Sequence, residues 1–292
     1  MKIGILYICT GKYDIFWKDF YLSSEKYLLK NHEKHYFVFT DSKTIFDAAN
    51  NKNIHVIYQK NLGWPNNALM RYHIFLKERW RLEKMDFLFF FNANTQITAK
   101  IDEEILPTIE EWITVTQHPR FYYLKNIHFT YERNPTSTAY IRKGSGKIYV
   151  QSALLGWKTD IFLNMCEILA KNTDTDIKNN IVTTWFDESY LNHYILTHPY
   201  RLLHPGYLSP EGWILPFPKK ILLKNKARYI PIIWVRGHWY ILRRFIQSVP
   251  LKLIILFHPY SIPKTEKMKH MITSTLLYLK YLFKPHKYNN EK

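Results

Sequence analysis

The segment Phe87-Leu88-Phe89-Phe90-Phe91 runs without a break into Asn92-Ala93-Asn94. Successive large apolar side chains do not suit a strand with one face in water, because such a strand alternates. They read as a strand buried on both faces. Strands of this kind belong to mainly parallel sheets covered by helices on each side. The two small amides then stand at the strand's C-terminal end, where open α/β sheets receive their ligands. A buried strand that simply ends in a polar turn fits the same residues, since Asn is an ordinary turn residue.

The flanking sequence alternates in keeping with an α/β domain. Residues 3–8 read as a strand. Residues 14–30 have helical spacing, with Ile15, Phe16, Phe20, Tyr27 and Leu28 on one face and Asp14 as N-cap. Strands follow at 36–39 and 54–58, a second helix at 66–82 after Pro65, and the buried strand at 86–91. Residues 115–156, rich in turn and β-forming types, read as inserted hairpins. Residues 160–170 and 187–196 read as helices. A length of 292 residues with 47% apolar and 17% aromatic content fills one large domain with an appendage, or two small domains. Cys9 and Cys166 give neither a disulfide framework nor a metal spacing, and both are expected as buried thiols in a reducing compartment. The apolar run at 3–9 is too short for a signal-peptide core or a membrane span, so it is expected to be the first strand.

Charge marks a boundary. From residue 219 onward 16 Lys/Arg face 2 acids, a balance of +14, whereas residues 1–218 carry 25 Lys/Arg and 22 Asp/Glu, a balance of +3. The last 48 residues, 245–292, mix Phe245, Leu251, Leu253, Ile254, Ile255, Leu256 and Phe257, then Met271, Leu276, Leu277, Tyr278, Tyr281, Leu282 and Phe283, with lysines. No run there is long enough to span a bilayer. A basic amphipathic helix lying on an anionic membrane fits better. The expected division is therefore an α/β domain at 1–245, the catalytic part if the chain is an enzyme, and a basic amphipathic tail at 246–292. The expected location is cytoplasmic and peripheral, on the inner face of the cytoplasmic membrane. A net charge of +17 alone does not indicate nucleic acid, because no nucleic-acid-binding module accompanies it.

Three clusters carry chemistry. Trp185-Phe186-Asp187-Glu188-Ser189 opens a helical pattern. Taken alone, its acids are ordinary capping residues. Functionally, one carboxylate can bind a sugar hydroxyl while the other faces an anomeric carbon, with Trp185 as an apolar plate. Phe129-Thr130-Tyr131-Glu132-Arg133 reads as a strand with a Glu-Arg pair. Leu62-Gly63-Trp64-Pro65, followed by Arg71, reads as a turn and a helix surface.

Together with further segments, these resemble glycosyltransferase family 6, the family of the histo-blood-group A and B transferases and the α-1,3-galactosyltransferase. The matching segments run in family order: Tyr7-Ile8-Cys9-Thr10-Gly11-Lys12-Tyr13, Val38-Phe39-Thr40-Asp41, Asn61-Leu62-Gly63-Trp64-Pro65, Phe89-Phe90-Phe91-Asn92-Ala93-Asn94, His118-Pro119, Phe129-Thr130-Tyr131-Glu132-Arg133, Ser137-Thr138-Ala139-Tyr140-Ile141, Trp185-Phe186-Asp187-Glu188-Ser189 and Tyr207-Leu208-Ser209-Pro210-Glu211-Gly212-Trp213. They cover roughly residues 2–245. Mammalian members carry Asp-x-Asp where this chain has Asn92-Ala93-Asn94, and the amide form resembles the bacterial members. Neutral amides are poor ligands for hard cations, so the expected enzyme uses no metal and no other cofactor.

The resemblance implies an α/β fold of the GT-A glycosyltransferase type with a basic C-terminal helical extension. It implies a retaining transfer of galactose or N-acetylgalactosamine, from UDP-Gal or UDP-GalNAc, to O3 of an acceptor glycan ending in galactose, often a fucosylated one. Ile8, Thr10 and Tyr13 would bind uridine. Arg71 would lie near the donor, and Asn92 and Asn94 would face its diphosphate and ribose. Lys226, Arg243 and Arg244 would close over the phosphates. His118, Thr130 and Trp185 would line the acceptor site. Asp187 would hold the donor sugar beside Gln151, Ser152 and Ala153, and Glu188 would be the catalytic carboxylate.

The chain departs from the family at Phe186, where a His is usual, and at Gln151-Ser152-Ala153-Leu154-Leu155-Gly156-Trp157, where a double Gly is usual. The sugar is therefore open on sequence grounds. A catalytically inactive glycan-binding or membrane-surface protein of the same fold is the alternative, and the intact Asp187-Glu188 pair speaks against it.

Overall fold

The five-residue apolar run lies in strand Phe87–Asn92, near the middle of a seven-stranded sheet. The computed structural model describes residues 1–230. Its main strands in chain order are β1 (Lys2–Ile8), β2 (Glu33–Thr40), β3 (Ile54–Tyr58), β4 (Phe87–Asn92), β5 (Thr95–Ile97), β6 (Ile113–Gln117), β7 (Val150–Lys158), β8 (Tyr200–Leu203), β9 (Ser209–Pro210) and β10 (Ile221–Leu223). The large sheet has the order β3-β2-β1-β4-β7-β6-β8, and β5, β10 and β9 form a small second sheet. Pairing is parallel from β3 through β4 and between β6 and β8, and antiparallel on both sides of β7.

Alternate residues of the central strands enter two different cores. Leu6, Leu88 and Phe90 face a cluster with Phe75, Trp157, Phe162 and Tyr190. Ile5, Tyr7, Phe89 and Phe91 face a cluster with Trp17, Phe20 and Tyr36. Burial on both sides is why the run has no polar alternation. The helices supply the outer layers: α1 (Trp17–Tyr27), α2 (Asn66–Leu69), α3 (Arg71–Leu76), α4 (Arg79–Leu82), α5 (Thr159–Lys178) and α6 (Asp187–Tyr194).

Three local expectations change. Residues 11–16 form a 3-10 turn, so the first α-helix starts at Trp17 and ends at Tyr27. The helix expected at 66–82 is broken at Met70 (φ −93°, ψ 13°) and Glu78 (φ −107°, ψ 17°), whose bridge-region geometry interrupts the ladder. Residues 115–156 are not inserted hairpins. Their ends belong to β6 and β7 of the main sheet, and the segment between is irregular apart from a 3-10 turn at Asn126–His128. Its aromatic residues, β-formers by composition, instead pack as a ring cluster: Phe121 lies 4.4 Å and Tyr131 5.3 Å from the Tyr149 ring.

Met1–Glu211 and Leu215–Lys226 form one compact unit. Arg243, Arg244, the boundary expected at residue 245 and the tail at 246–292 lie outside the described residues.

Candidate active site

Sheet register brings the first set of candidate residues to one edge. Ile8 at the end of β1 pairs with Phe39 of β2 and with Asn92 of β4, so the C-terminal ends of three parallel strands meet there. Thr10 is buried just beyond β1. Gly11, at φ +60°, turns the chain, and its N–H donates to Asp41 Oδ1 at 2.7 Å. Tyr13 lies in the turn that follows, with the Lys226 ammonium 5.3 Å from its ring centroid. Burial pushes the Cys9 thiol up to about 12, so this thiol is inert packing.

Asn92 is half-buried, and its Oδ1 accepts from the Ala93 N–H at 3.2 Å. Asn94 is buried, and its Nδ2 donates to the Lys224 carbonyl at 2.6 Å. These positions present neutral amides, one of them turned to a backbone carbonyl. Neutral amides are poorer ligands for a divalent cation than carboxylates, because such ions favour anionic oxygen. Among the described residues no group of three His, Cys, Asp or Glu side chains is placed to hold a metal ion.

The second set converges through hydrogen bonds at the start of α6. Asp187 is buried, and its Oδ2 accepts from Arg71 Nη1 at 2.5 Å. Arg71, also buried, donates to the Ser152 carbonyl at 2.9 Å and stacks 4.1 Å over the Phe90 ring. Burial raises the Asp187 pKa, while Arg71 and Ser152 pull against that rise. Glu188, half-buried, accepts from the Tyr149 hydroxyl at 3.0 Å and from the Ser152 N–H at 3.1 Å. Burial, and then the nearby Glu188 charge, raise Tyr149 well above the ordinary phenol value, which keeps its proton in place as the donor. Gln151 and Ala153 lie on β7 on either side of Ser152, with Ala153 buried.

Of the residues expected at the acceptor, His118 and the segment that carries Thr130 pack around Tyr149. The His118 ring is 5.7 Å from the Tyr149 ring, and the His118 N–H donates to the Tyr149 carbonyl at 2.8 Å. Thr130 lies between Phe129 and Tyr131, whose rings are 6.0 Å and 5.3 Å from Tyr149. Trp185 precedes α6, and its N–H donates to Ser189 Oγ at 3.0 Å. Phe186, where the family usually has His, meets the Trp64 ring edge-on at 5.2 Å, so an apolar contact replaces a polar one. The Glu132-Arg133 reading is corrected: Glu132 binds backbone N–H groups, and the Arg133 guanidinium donates to the carbonyls of Ile141 and Phe129.

Two residues at this site escaped sequence reasoning. Tyr149 stands directly before β7, two positions ahead of Gln151, in the segment already singled out for the donor sugar. Asn192 stands four after Glu188 on α6, the helical neighbour spacing. Its Nδ2 donates to the carbonyls of Val150 and Glu188, and its Oδ1 accepts from the Val150 N–H, so it locks α6 to β7.

Comparison with known proteins identifies the family. The model of glycosyltransferase family 6 matches residues 1–235. The O-antigen biosynthesis glycosyltransferase WbnI of Escherichia coli is 35% identical over 228 residues, 78% of this chain and 96% of WbnI. Histo-blood group ABO system transferase 2 of Rattus norvegicus is 28% identical over 238 residues, 79% of this chain and 69% of the rat protein. Globoside alpha-1,3-N-acetylgalactosaminyltransferase 1 of Gallus gallus is 28% identical over 231 residues, 76% of this chain and 65% of the chicken protein. With its mixed α/β sheet of the GT-A type, the chain belongs to glycosyltransferase family 6 and is a glycosyltransferase.

Proposed function

We propose that the chain is a retaining α-1,3-hexosyltransferase that moves galactose or N-acetylgalactosamine from its UDP-sugar to O3 of an acceptor ending in galactose. The observation that carries the reading is the placement of Glu188, held from two sides by Tyr149 and Ser152 and adjoining the Arg71–Asp187 pair. A carboxylate fixed in this way supports an oxocarbenium-like transition state by its charge. Asp187 orients the donor sugar. His118, Thr130 and Trp185 form the acceptor wall, and Ile8, Thr10, Tyr13, Asn92 and Asn94 take the nucleotide. Lys226, Arg243 and Arg244 neutralise the leaving diphosphate by direct charge pairing, without a metal.

The names of the relatives support this class of acceptor, through an O-antigen transferase, an ABO transferase and a globoside α-1,3-GalNAc transferase. Ala153 narrows the space expected beside C2 of the donor, which favours galactose by the modest factor that a methyl group commands. Peripheral attachment to a cytoplasmic membrane surface through the tail completes the reading.

The experiment is transfer from UDP-Gal and from UDP-GalNAc to a fucosylated galactoside, with excess EDTA present. The anomeric configuration of the product is read by NMR. An α-linked product formed under chelation is expected. A β-linked product ends the retaining assignment, and activity rescued only by Mn²⁺ ends the metal-free one.

A further inference from the structure

Glu132 is a buried carboxylate that accepts four hydrogen bonds. Its Oε1 takes the N–H groups of Arg133 and Asn134, each at 2.8 Å. Its Oε2 takes the Thr184 N–H at 2.7 Å and the Thr184 hydroxyl at 3.0 Å. Among the described residues no Lys or Arg forms an ion pair with it. Among the described residues the partners of its carboxylate are N–H and O–H donors. Four donors converging on one carboxylate leave no room for an amide, because an NH₂ would confront donors.

The two segments so joined are those that carry the acceptor wall. Thr130 stands two residues before Glu132, and Trp185 one residue after Thr184. The Trp185 turn holds an unfavourable backbone: Phe186 has φ +56° and ψ −127° without being glycine. Such a conformation persists only where its surroundings over-determine it. On one side the Trp185 N–H bonds Ser189, and the Thr183 hydroxyl donates to the Phe186 carbonyl at 3.0 Å. Glu132 is the fastening on the other side.

We propose that Glu132 is a positioning residue for acceptor recognition, setting the spacing between Thr130 and Trp185. This rests on the acceptor wall of the proposed function. Glu132 touches neither the Arg71–Asp187 pair nor the bonds that hold Glu188, so its loss falls on acceptor binding rather than on donor activation.

The test measures steady-state kinetics of Glu132→Gln and Glu132→Asp with UDP-sugar and fucosylated galactoside, alongside UDP release without acceptor. Expected is a rise of roughly tenfold or more in acceptor KM for Glu132→Gln, with a smaller rise for Glu132→Asp. Donor KM and acceptor-free UDP release stay within about twofold of the wild type. A parallel fall in acceptor-free release, an unchanged acceptor KM in a folded variant, or failure of both variants to fold makes the role merely structural and overturns the proposal. Thr130→Val and Trp185→Ala are run beside them. Unchanged acceptor KM in both removes the wall itself and the proposal with it. Raised KM there with unchanged KM in Glu132→Gln overturns the proposal alone.

Discussion

The Asn94 carboxamide donates to the carbonyl of Lys224 at 2.6 Å, and the Lys224 N–H donates back to the carbonyl of Asn94 at 2.8 Å. This reciprocal pair fastens the segment after β10, which leads to Lys226, to the end of the central strand. A carboxylate at position 94 has no hydrogen to give and would place its charge against a carbonyl oxygen. The amide at position 94 therefore has a structural task of its own.

Asn94→Asp is expected to lose about 1–3 kcal/mol of stability, the cost of a broken and now repulsive buried contact. Asn92→Asp with Asn94→Asp is expected to bring no gain in activity with Mn²⁺. Urea unfolding and metal titration of transfer check the two halves. A double variant that is stable and metal-activated contradicts both.

Glu188→Gln keeps the shape and removes the charge. Turnover should fall on the order of 10³-fold or more, with the fold intact by circular dichroism. Tyr149→Phe removes one of the two bonds that orient Glu188, and a smaller loss of roughly tenfold is expected. Near wild-type turnover of Glu188→Gln would remove it from the chemistry.

Asp176, fully buried in α5, accepts from Ser137 Oγ at 2.5 Å, Thr138 N–H at 2.8 Å and Tyr190 OH at 3.1 Å. It ties the loop that follows Glu132 to the helix that begins at Asp187. Asp176→Asn sets an NH₂ against donors, and a loss of roughly 2–4 kcal/mol is expected. Chemical denaturation with an unchanged m-value would confirm a native-state effect. A midpoint equal to the wild type would show that the network is dispensable.

Gly156 faces Phe89 across β7 and β4, and a methyl there would lie 1.9 Å from Phe89 Cε1. Phe89 is fully buried in the core. Gly156→Ala should cost about 1–3 kcal/mol by overpacking, and the pair Gly156→Ala with Phe89→Leu should recover part of it. Thermal unfolding of the single and double variants is the measurement.

Much of this was legible in the sequence for physical reasons. The run at Phe87 announced a doubly buried strand because nothing polar interrupts it. Asp187 and Glu188 read on their own as ordinary capping residues, and only the family resemblance gave them roles. What stayed hidden was non-local. Nothing near Glu132 in sequence points to Thr184, 52 positions away. The Tyr149–Glu188 bond likewise spans 39 positions. The ring cluster of residues 121–149 misled because the same aromatic types that favour strands also pack well without one.

Residues 246–292 lie outside the described part of the chain. With eight lysines against two acids in residues 246–292, and apolar residues interspersed, the tail is proposed to lie on an anionic bilayer. Each cation near such a surface contributes roughly 1 kcal/mol, and salt screens that attraction. Among the described residues no helix is long and apolar enough to cross a membrane. The full-length protein should therefore float with vesicles containing anionic lipid at low salt and be released as salt rises. A truncation at residue 245 should stay with the unbound fraction. If the truncated protein floats equally well, or the full chain never binds, the positive charge of the tail serves the diphosphate or the packing of the domain instead. UDP affinity of the truncated protein separates these two, because only loss of phosphate contacts weakens it.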